Sequence, residues 1–464
     1  MLLPVFLPAQ HFCDNKYISR ADSLLNNIVK LFNVHEHGLL SETFPKKPEQ
    51  KITYTINNEG VKQQEVSFLW PYSTFLSACV SIYKITGEEK YKNIIEDRVK
   101  PGLDKYWDSY RKPKCYQSYP IFAGKHDRYY DDNDWIALDY CDYFELTGDT
   151  IYLNLAQKLH SYIYSGWSNE LGGGIYWCEQ QQKSKNTCSN APATVLCMKL
   201  YNLTGEKHYL NQAIETYSWT KNNLMDPTDG VYWDNVNLQG EIDRAKFTYN
   251  SGQMIQAGVL LYKATDKKSY LREAQFTAKG SYNHFCKSRK TVMNDKQLFY
   301  PSAPWFNVIL FRGLKALYEI DCNPTYIAAV INNADFAWQY SRTNDGLFSS
   351  DWSGCEQNYF MNLLDNACMI ELYAEISNIK IDNSESLKLN GNPAFPGWYA
   401  DPEGIVYGDT YWIFPTLSLL HGEDRYIYKE DQNRKTDAIN QEYNIQTHFD
   451  AFYNKNNRFF VIGW

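Results

Sequence analysis

The chain of 464 residues contains 46 Lys and Arg residues and 54 Asp and Glu residues, which gives a formal net charge of −8. This acidic balance disfavours nucleic acid and anionic membrane surfaces as main partners, because both bind basic surfaces. A hydrophobic share of 44% with 22% charged residues excludes global disorder, and the length suggests about three domains or one large fold with an appendage.

Within the first 14 residues, the apolar stretch 1–9 is short, lacks a basic start and contains Pro4 and Pro8. They are typical of a disordered start or the remnant of a signal peptide. No stretch reaches the ~20 apolar residues of a membrane span. The eleven cysteines are scattered without a CxxC pair, so we expect no metal site and no cofactor, while disulfide pairing stays open.

A repeat of helical pairs fills the next 365 residues, 15–379. An apolar segment ending in an aromatic residue, in three copies followed within a few residues by Thr-Gly, recurs six times, with gaps of 61, 57, 61, 56 and 55 residues between these marker aromatics. Each apolar segment predicts a buried inner helix that ends at a left-handed glycine, and the amphipathic segment after it predicts an outer helix. The fold class is therefore all-α, an (α/α)6 barrel or six-hairpin toroid. The markers are Tyr83, Phe144, Tyr201, Tyr262, Tyr318 and Tyr373.

The inner helices are predicted to begin about 12 residues before each marker, near Trp70, Asp132, Asn190, Asn250, Trp305 and Met361. Glycine-rich loops such as 172–177 (Gly-Gly-Gly-Ile-Tyr-Trp) precede inner helices. These loops and the positive ends of the helix dipoles should therefore meet at one face of the toroid and line the mouth of a central funnel.

Three carboxylates within four residues stand at one of these helix starts: Asp131, Asp132 and Asp134. Helix capping explains one of them, since Asp and Asn are preferred caps. Two further acids are left over, and carboxylates this close raise one another's pKa. The result is one ionised and one protonated acid, the pair that cleaves a glycosidic bond.

Several motifs resemble glycoside hydrolase family 76, the endo-α-1,6-mannanases. They are 130–133 (Tyr-Asp-Asp-Asn), 173–177 (Gly-Gly-Ile-Tyr-Trp), 185–192 (Lys-Asn-Thr-Cys-Ser-Asn-Ala-Pro) and 249–254 (Tyr-Asn-Ser-Gly-Gln-Met). The resemblance runs from about residue 15 to 379. It implies an (α/α)6 barrel with Asp131 as nucleophile and Asp132 as general acid/base of a retaining double displacement on α-mannan, although the order of the two roles stays open. We expect an extracellular or cell-surface monomer.

Candidate substrate contacts accompany the pair. Aromatic residues make up 16% of the chain, and their rings suit sugars. Trp70, Trp177 and Trp233 are candidates for stacking on pyranose rings, against the alternative that they pack in the core. Asn190, Asn250 and Gln253 stand at helix starts, where for the two asparagines capping is an equal alternative. Further candidates from the matched motifs are Tyr130, Asn133, Lys185, Asn186 and Tyr249.

The repeat stops near residue 379. Residues 380–391 are polar and indicate a linker. Apolar residues alternate around Gly408-Asp409 in 405–414, which predicts a hairpin, and we expect a short β-rich piece over 392–464. This tail resembles the opening of glycoside hydrolase family 43, a five-bladed propeller with its general base at the Asp401 position. Since an incomplete propeller cannot close, we expect 392–464 to be a propeller-like fragment with an inert Asp401.

Two other functions stay open at this point. A mannan or cell-wall transglycosylase would use the same residues with a sugar in place of water, and a catalytically idle toroid would only bind glycan. A sugar epimerase is disfavoured, because its histidine pairs would lie at inner-helix ends. The histidines here, such as His160 and His208, fall in predicted outer helices or loops.

Overall fold

The computed structural model describes residues 15–52 and 63–380, together with six strands between residues 399 and 463. The chain forms two compact units, Met1–Lys380 and Ile381–Trp464. The predicted disordered start (1–14) and the predicted linker after Lys380 lie outside the described residues. No helix in the described part of the chain is long and apolar enough to cross a membrane.

The first unit is mostly helical, as the repeat predicts. Six inner helices are buried nearly all round: α2 (Leu69–Thr86), α5 (Tyr130–Thr147), α7 (Thr187–Thr204), α9 (Thr248–Thr265), α11 (Pro304–Asp321) and α13 (Leu363–Ser377). Each begins within three residues of its predicted start.

The outer helices bury one side only. They are α1 (Asn15–Leu31), α6 (Thr150–Tyr164), α8 (Lys207–Leu224), α10 (Lys268–Phe285) and α12 (Thr325–Tyr340). The remaining outer segment is α3 (Glu89–Ile94), which continues through a π turn at Ile95–Val99 into α4 (Lys100–Leu103).

The Thr-Gly repeat ends helices by one recurring set of bonds. Gly148 has a φ of 71°, and its amide donates to the carbonyl of the marker Phe144 at 2.8 Å. The preceding Thr147 hydroxyl donates to the carbonyl of Tyr143 at 2.8 Å. Because glycine lacks a Cβ, it adopts the left-handed conformation without a steric penalty, and its amide then bonds a carbonyl of the last helical turn. This explains why the same dipeptide recurs along the chain.

Neighbouring inner helices pack in sequence order, α2 with α5, α5 with α7, α7 with α9, α9 with α11 and α11 with α13. Helix α13 also packs against α2. The repeat predicts an outer helix after each marker, but the outer partner of α13 is α1, from the start of the chain.

Short antiparallel strands precede the inner helices. They are β1 (Asn33–Val34) with β2 (Leu39–Leu40), β3 (Thr43–Phe44) with β11 (Met361–Asn362), β4 (Trp107–Asp108) with β5 (Cys115–Tyr116), and β9 (Lys287–Lys290) with β10 (Lys296–Phe299). One sheet has three strands, β6 (Ser184–Asn186), β7 (Trp233–Asn237) and β8 (Ile242–Lys246). These strands lie at the end of the first unit where the inner helices begin.

The second unit contains a four-stranded antiparallel sheet in the order β12 (Tyr399–Tyr407), β13 (Thr410–Leu417), β16 (Phe449–Lys455) and β17 (Arg458–Gly463). A separate pair joins β14 (Ile427–Glu430) to β15 (Thr436–Ile439). Tyr407 lies opposite Thr410, the register expected for the predicted hairpin.

Candidate active site

A cavity of about 480 Å³ opens where the inner helices begin. Asp131 and Asp132, in the first turn of α5, reach it from one side, and both are half-buried. The other acidic and amide side chains that line it are Glu42, Asn186, Asp234 and Asn235. Its aromatic lining residues are Phe68, Trp70, Tyr129, Trp135, Trp177, Phe247, Tyr249, Trp305 and Phe306.

Asp131 accepts hydrogen bonds from several sides. The indole Nε1 of Trp177 donates to its Oδ2 at 3.0 Å, and the backbone amide of Asp132 donates to its Oδ1 at 3.0 Å. The thiol of Cys188, which lines the same cavity, also lowers the pKa of Asp131. Burial raises the pKa of Asp131, and these donors limit the rise because they favour the ionised form.

Asp132 has the opposite surroundings. Among the described residues no group donates a hydrogen bond to its carboxyl, and burial together with the neighbouring charge of Asp131 raises its pKa well above the ordinary value. Neither side chain fills the N-cap position, which is Tyr129 in an extended conformation without a side-chain cap bond. The adjacent carboxyls therefore differ in proton affinity, and the capping alternative does not account for them.

Asp134 stands apart from the pair. Its side chain is fully buried, it does not line the cavity, and neither oxygen has a hydrogen-bond partner in the described part of the chain. Burial, and then the charge of Asp131, raise its pKa well above the ordinary value. A buried carboxyl without a hydrogen-bond partner favours its neutral form.

An aromatic wall faces the pair, formed by Trp70, Tyr249, Trp305 and Phe306 and reaching the half-exposed Phe247 at the rim. Trp70 meets Trp305 edge-on with ring centres 5.0 Å apart, and Tyr249 lies 4.4 Å from Phe306. Rings locked against one another lose little freedom when a ligand packs on them, so this surface suits the apolar face of a pyranose.

Two acids of the cavity have no role in the sequence-based prediction. Oε2 of Glu42 accepts from the amide of Phe68 at 2.9 Å and from the Gln64 amide nitrogen at 3.3 Å, and burial raises its pKa to about 7. Asp234, in β7, accepts from Asn235 at 2.8 Å and from Asn250 at 3.5 Å. Both carboxyls are hydroxyl acceptors held in place by the fold.

Six predicted site residues line the cavity together, and seven do not. Those in the cavity are Asp131, Asp132, Trp70, Trp177, Asn186 and Tyr249. Those outside its lining are Tyr130, Asn133, Lys185, Asn190, Trp233, Asn250 and Gln253.

Lys185 has a structural position in place of the predicted contact with substrate. Its amine is fully buried and donates to the carbonyls of Ser168 at 2.9 Å, Glu170 at 2.6 Å and Gly173. These carbonyls belong to the turn before the 173–177 loop and to the first residue of that loop, so Lys185 stabilises the loop that carries Trp177.

Asn133 and Asn190 also have a structural role. Each is the fourth residue of its helix and is fully buried. The Asn190 side chain accepts from the amide of Ile175 at 2.7 Å and donates to the carbonyl of the same residue at 2.9 Å, and Asn133 does the same with Tyr116 at 2.9 and 3.0 Å. With both ends of the amide used, neither asparagine is available to a sugar.

The other four residues predicted to contact substrate lie outside the cavity lining because their side chains contact other residues. Tyr130 is buried against Tyr162 with ring centres 5.0 Å apart, and Arg244 covers the ring of Trp233. Gln253 is buried beside Gln256. Asn250 reaches the site only through Asp234.

The cavity residues that the sequence-based prediction did not include have few features in the sequence that would identify them. Glu42 lies before the first inner helix, outside the repeat, whereas Asp234 follows a Gly-Val-Tyr-Trp loop that copies 173–177. Phe306 directly follows the predicted inner-helix start at Trp305, and Phe247 lies three residues before the one at Asn250; that position is their only signal.

The model of glycosyl hydrolase family 76 matches residues 16–380. The chain belongs to this family. A family 76 glycoside hydrolase from a bovine Bacteroides thetaiotaomicron strain has a similar structure, with a TM-score of 0.69 and 32% identity over 78% of this chain and 77% of that one. A family 76 mannosidase of Bacteroides thetaiotaomicron has a TM-score of 0.70 and 28% identity over 79% of this chain and all of that one.

A 129-residue stretch, 25% of this chain, is 30% identical to the mannan endo-1,6-alpha-mannosidase DFG5 of Saccharomyces cerevisiae and covers 27% of that protein. Across the curated relatives, the matched region spans from a tenth to about half of their length.

Proposed function

We propose that the first unit is a retaining endo-acting glycosidase that cleaves α-1,6-linked mannan with Asp131 and Asp132. The proposal depends on one observation. Asp131 accepts hydrogen bonds that favour its charge, whereas no donor meets the adjacent Asp132 among the described residues. An ionised and a protonated carboxyl then face the same cavity, as a double displacement requires.

In the first step, the Asp131 carboxylate attacks the anomeric carbon and the glycosidic bond breaks. The proton of Asp132 goes to the leaving oxygen. In the second step, Asp132 takes a proton from water, whose oxygen attacks the anomeric carbon. The ester to Asp131 breaks, and both carboxyls return to their starting states.

The substrate class is supported by the aromatic wall, by the hydroxyl acceptors Glu42 and Asp234, and by the names of two relatives, a mannosidase and a mannan endo-1,6-alpha-mannosidase. We also propose that the six helical pairs close as an (α/α)6 barrel. The contact of α13 with α2 and with α1 supports this closure. The propeller-like character of 392–464 stays a proposal.

The test is the release of oligosaccharides from an α-1,6-linked mannan by wild type, Asp131→Asn and Asp132→Asn. We expect each substitution to lower kcat by about 10²-fold or more, because each removes a group needed in the transition state. Asp97→Asn, on the exposed surface of an outer helix, is the matched control and should keep full activity.

Product analysis separates the alternatives. The anomeric configuration of the first product, followed by NMR, should be that of the substrate. Products longer than the substrate would indicate transglycosylation, and glycan binding without any cleavage would indicate an idle toroid. Near-wild-type turnover by either Asn variant would reject the assigned pair.

A further inference from the structure

The surface beside the cavity determines where the outer units of a polymer lie, because an endo-acting enzyme binds a chain that continues beyond its cavity. Exposed aromatic rings suit such outer units. In the described part of the chain they are Tyr110, Phe122, Trp177, Phe247, Phe276 and Tyr359. Trp177 and Phe247 already line the cavity. Of the remaining four described rings, Phe122 is the one that stacks parallel to another, with its centre 4.6 Å from that of His37 and 6° between the planes.

The backbone that carries Phe122 is fixed. Phe122 is the middle residue of a single 3-10 turn, Ile121–Ala123. The buried side-chain amide of Gln117 donates to the carbonyls of Tyr119 and Gly124, on either side of that turn, at 2.8 Å each. Since the turn is held at both ends and the ring is stacked, Phe122 loses little freedom when a ligand packs on it.

A line of ring contacts joins Phe122 to the cavity. Phe68, which lines the cavity, has its ring centre 5.3 Å from that of the buried Tyr119, and Tyr119 meets Phe122 edge-on at 6.4 Å. Ser118 also lines the cavity, and its carbonyl accepts from the amide of Leu69 at 2.8 Å. The exposed ring therefore lies beside the part of the cavity that Phe68 and Ser118 line, within reach of a glycan chain that leaves the cavity on this side.

We propose that Phe122 forms an outer binding site of the enzyme, at which its ring stacks on a pyranose unit of the α-mannan chain outside the cavity. This inference rests on the proposed function, since it adds a contact to the same substrate. The face of an aromatic ring carries partial negative charge and attracts the C–H groups on the apolar face of a pyranose. The contact is remote from the reacting bond, so it contributes equally to the ground state and the transition state.

The experiment measures kcat and KM of wild type, Phe122→Ala and Phe122→Trp on an α-1,6-linked mannan trisaccharide and octasaccharide. Loss of a contact as strong as an aromatic pair should raise the KM of Phe122→Ala for the octasaccharide by about three- to tenfold. Its kcat should stay within about twofold of wild type, because only uniform binding is lost. We expect the trisaccharide to occupy the cavity alone, so its KM should change by less than about twofold. Phe122→Trp keeps a ring at this position and should retain the wild-type KM for the octasaccharide.

Phe276→Ala is the matched control, because that ring is similarly exposed, at 41% against 46% for Phe122, but stands on the outer helix α10 and outside the cavity lining. It should leave both KM values unchanged. Calorimetric melting checks that each variant is folded. If folded Phe122→Ala weakened the two substrates equally, or weakened neither, Phe122 would not be an outer binding site and the inference would be wrong.

Binding without cleavage keeps this test separate from the proposed function. Isothermal titration calorimetry gives the Kd of each oligosaccharide for Asp131→Asn, with and without Phe122→Ala. A higher Kd with Phe122→Ala for the octasaccharide alone supports the outer site even if wild type does not cleave mannan, which would reject the proposed function alone. Cleavage of mannan with equal Kd values would reject the inference alone. An octasaccharide that does not bind to Asp131→Asn would also overturn the inference.

Discussion

At the scale of residues, the first turns of α5 place three carboxyls in three environments. Asp131 faces the cavity with donors, Asp132 faces it without them, and Asp134 is buried with no partner in the described part of the chain. The chemistry follows from these partners more than from the residue type. Burial raises the pKa of Asp131 to about 6, so the acidic limb of the activity profile should fall near pH 6 and mark its ionisation.

Glu42 gives a second prediction at this scale. Its Oε2 is held by Phe68 and Gln64, while Oε1 has no donor among the described residues and is left for a sugar hydroxyl. Glu42→Gln keeps an acceptor for Phe68 but loses the charge, so we expect KM for the mannan oligosaccharide to rise by about tenfold or more. The kcat value should change by less than about threefold.

The check is a Michaelis–Menten series at pH 8, where the wild-type carboxyl with a pKa of about 7 is mostly ionised. Glu65→Gln, an exposed glutamate whose side chain is outside the cavity lining, is the matched control. A fall in kcat with an unchanged KM would mean that Glu42 acts on the transition state and does not bind the ground state.

Sequence alone could place the Asp pair and Trp177, because the motifs that carry them are contiguous. The pair stands at a helix start, and Trp177 stands in a glycine-rich loop that precedes an inner helix. It could not separate a ligand from an anchor for Asn133, Asn190 and Lys185, since an amide or amine beside a loop serves either purpose. Only the positions of the backbone carbonyls decide, and those depend on how the loop folds back. Glu42 was beyond prediction because it has no counterpart in the repeat.

At the scale of elements, the repeat includes a feature at the start of the inner helices as well as the Thr-Gly dipeptide at their ends. The fourth residue of a helix hydrogen-bonds to the backbone of the loop before it. The fourth residue of α13, Asn366, accepts from the amide of Phe348 at 2.7 Å and donates to its carbonyl at 3.3 Å, as Asn133 and Asn190 do with their own loops. In α9 the equivalent position is Ser251, whose hydroxyl accepts from the amide of Tyr232 at 3.1 Å. Each anchor fixes a loop against the inner helix that follows it.

Asn366→Ala tests this anchor away from the cavity. Phe348 and Asn366 are both buried, so the substitution leaves an amide and a carbonyl of Phe348 without partners, and we expect a loss of about 2 to 4 kcal/mol in the free energy of unfolding. Activity at 25 °C should be within about twofold of wild type, because Asn366 does not line the cavity.

Urea unfolding followed by circular dichroism gives the free energy. Asn93→Ala, exposed on the outer helix α3, should cost less than about 1 kcal/mol and is the control. If Asn366→Ala unfolded at the wild-type urea concentration, the anchor would contribute nothing to stability.

The helical pairs could be predicted because the Thr-Gly ends and apolar helices recur at a regular spacing. The sixth pair could not, because its outer helix α1 precedes the first marker and the pairing is visible only once α13 packs against it. A linear repeat does not reveal that the outer partner of the last inner helix precedes the first one in the sequence.

At the scale of the whole first unit, the two ends of the inner helices have different chemistry. The end with the aromatic wall holds carboxyls that have few or no cationic partners, whereas the opposite end holds a cavity of about 220 Å³ lined by paired charges. Arg312 makes two bonds to Glu371, at 2.5 and 2.7 Å, Lys199 pairs with Asp142, and Lys315 pairs with Glu375. Against the effect of burial, Lys199 and Lys315 hold the pKa values of Asp142 and Glu375 below their ordinary range. At the end with the aromatic wall, burial and the charge of Asp131 raise the pKa values of Asp132 and Asp134.

Asp139 is the exception at the end of the inner helices that holds the ion pairs, called here the paired end, and it gives the last prediction. It is buried and accepts from the Ser77 hydroxyl at 2.6 Å, while Arg312 is bonded to Glu371. Burial raises the pKa of Asp139 to about 8, against the opposing effect of Arg312. The native state thus holds a proton that the unfolded chain releases near pH 4, so the free energy of unfolding falls as pH rises from about 4 to about 8.

Asp139→Asn removes the titrating carboxyl, so the free energy of unfolding should decrease less as the pH rises. The variant should melt about 5 to 9 °C above wild type at pH 9 and show little difference at pH 4, measured by calorimetry across that range. Asp97→Asn, exposed on an outer helix, should follow the wild-type curve throughout. Parallel curves for wild type and Asp139→Asn would instead mean that Arg312 holds Asp139 ionised in the native state, and that the paired end leaves no buried carboxyl protonated.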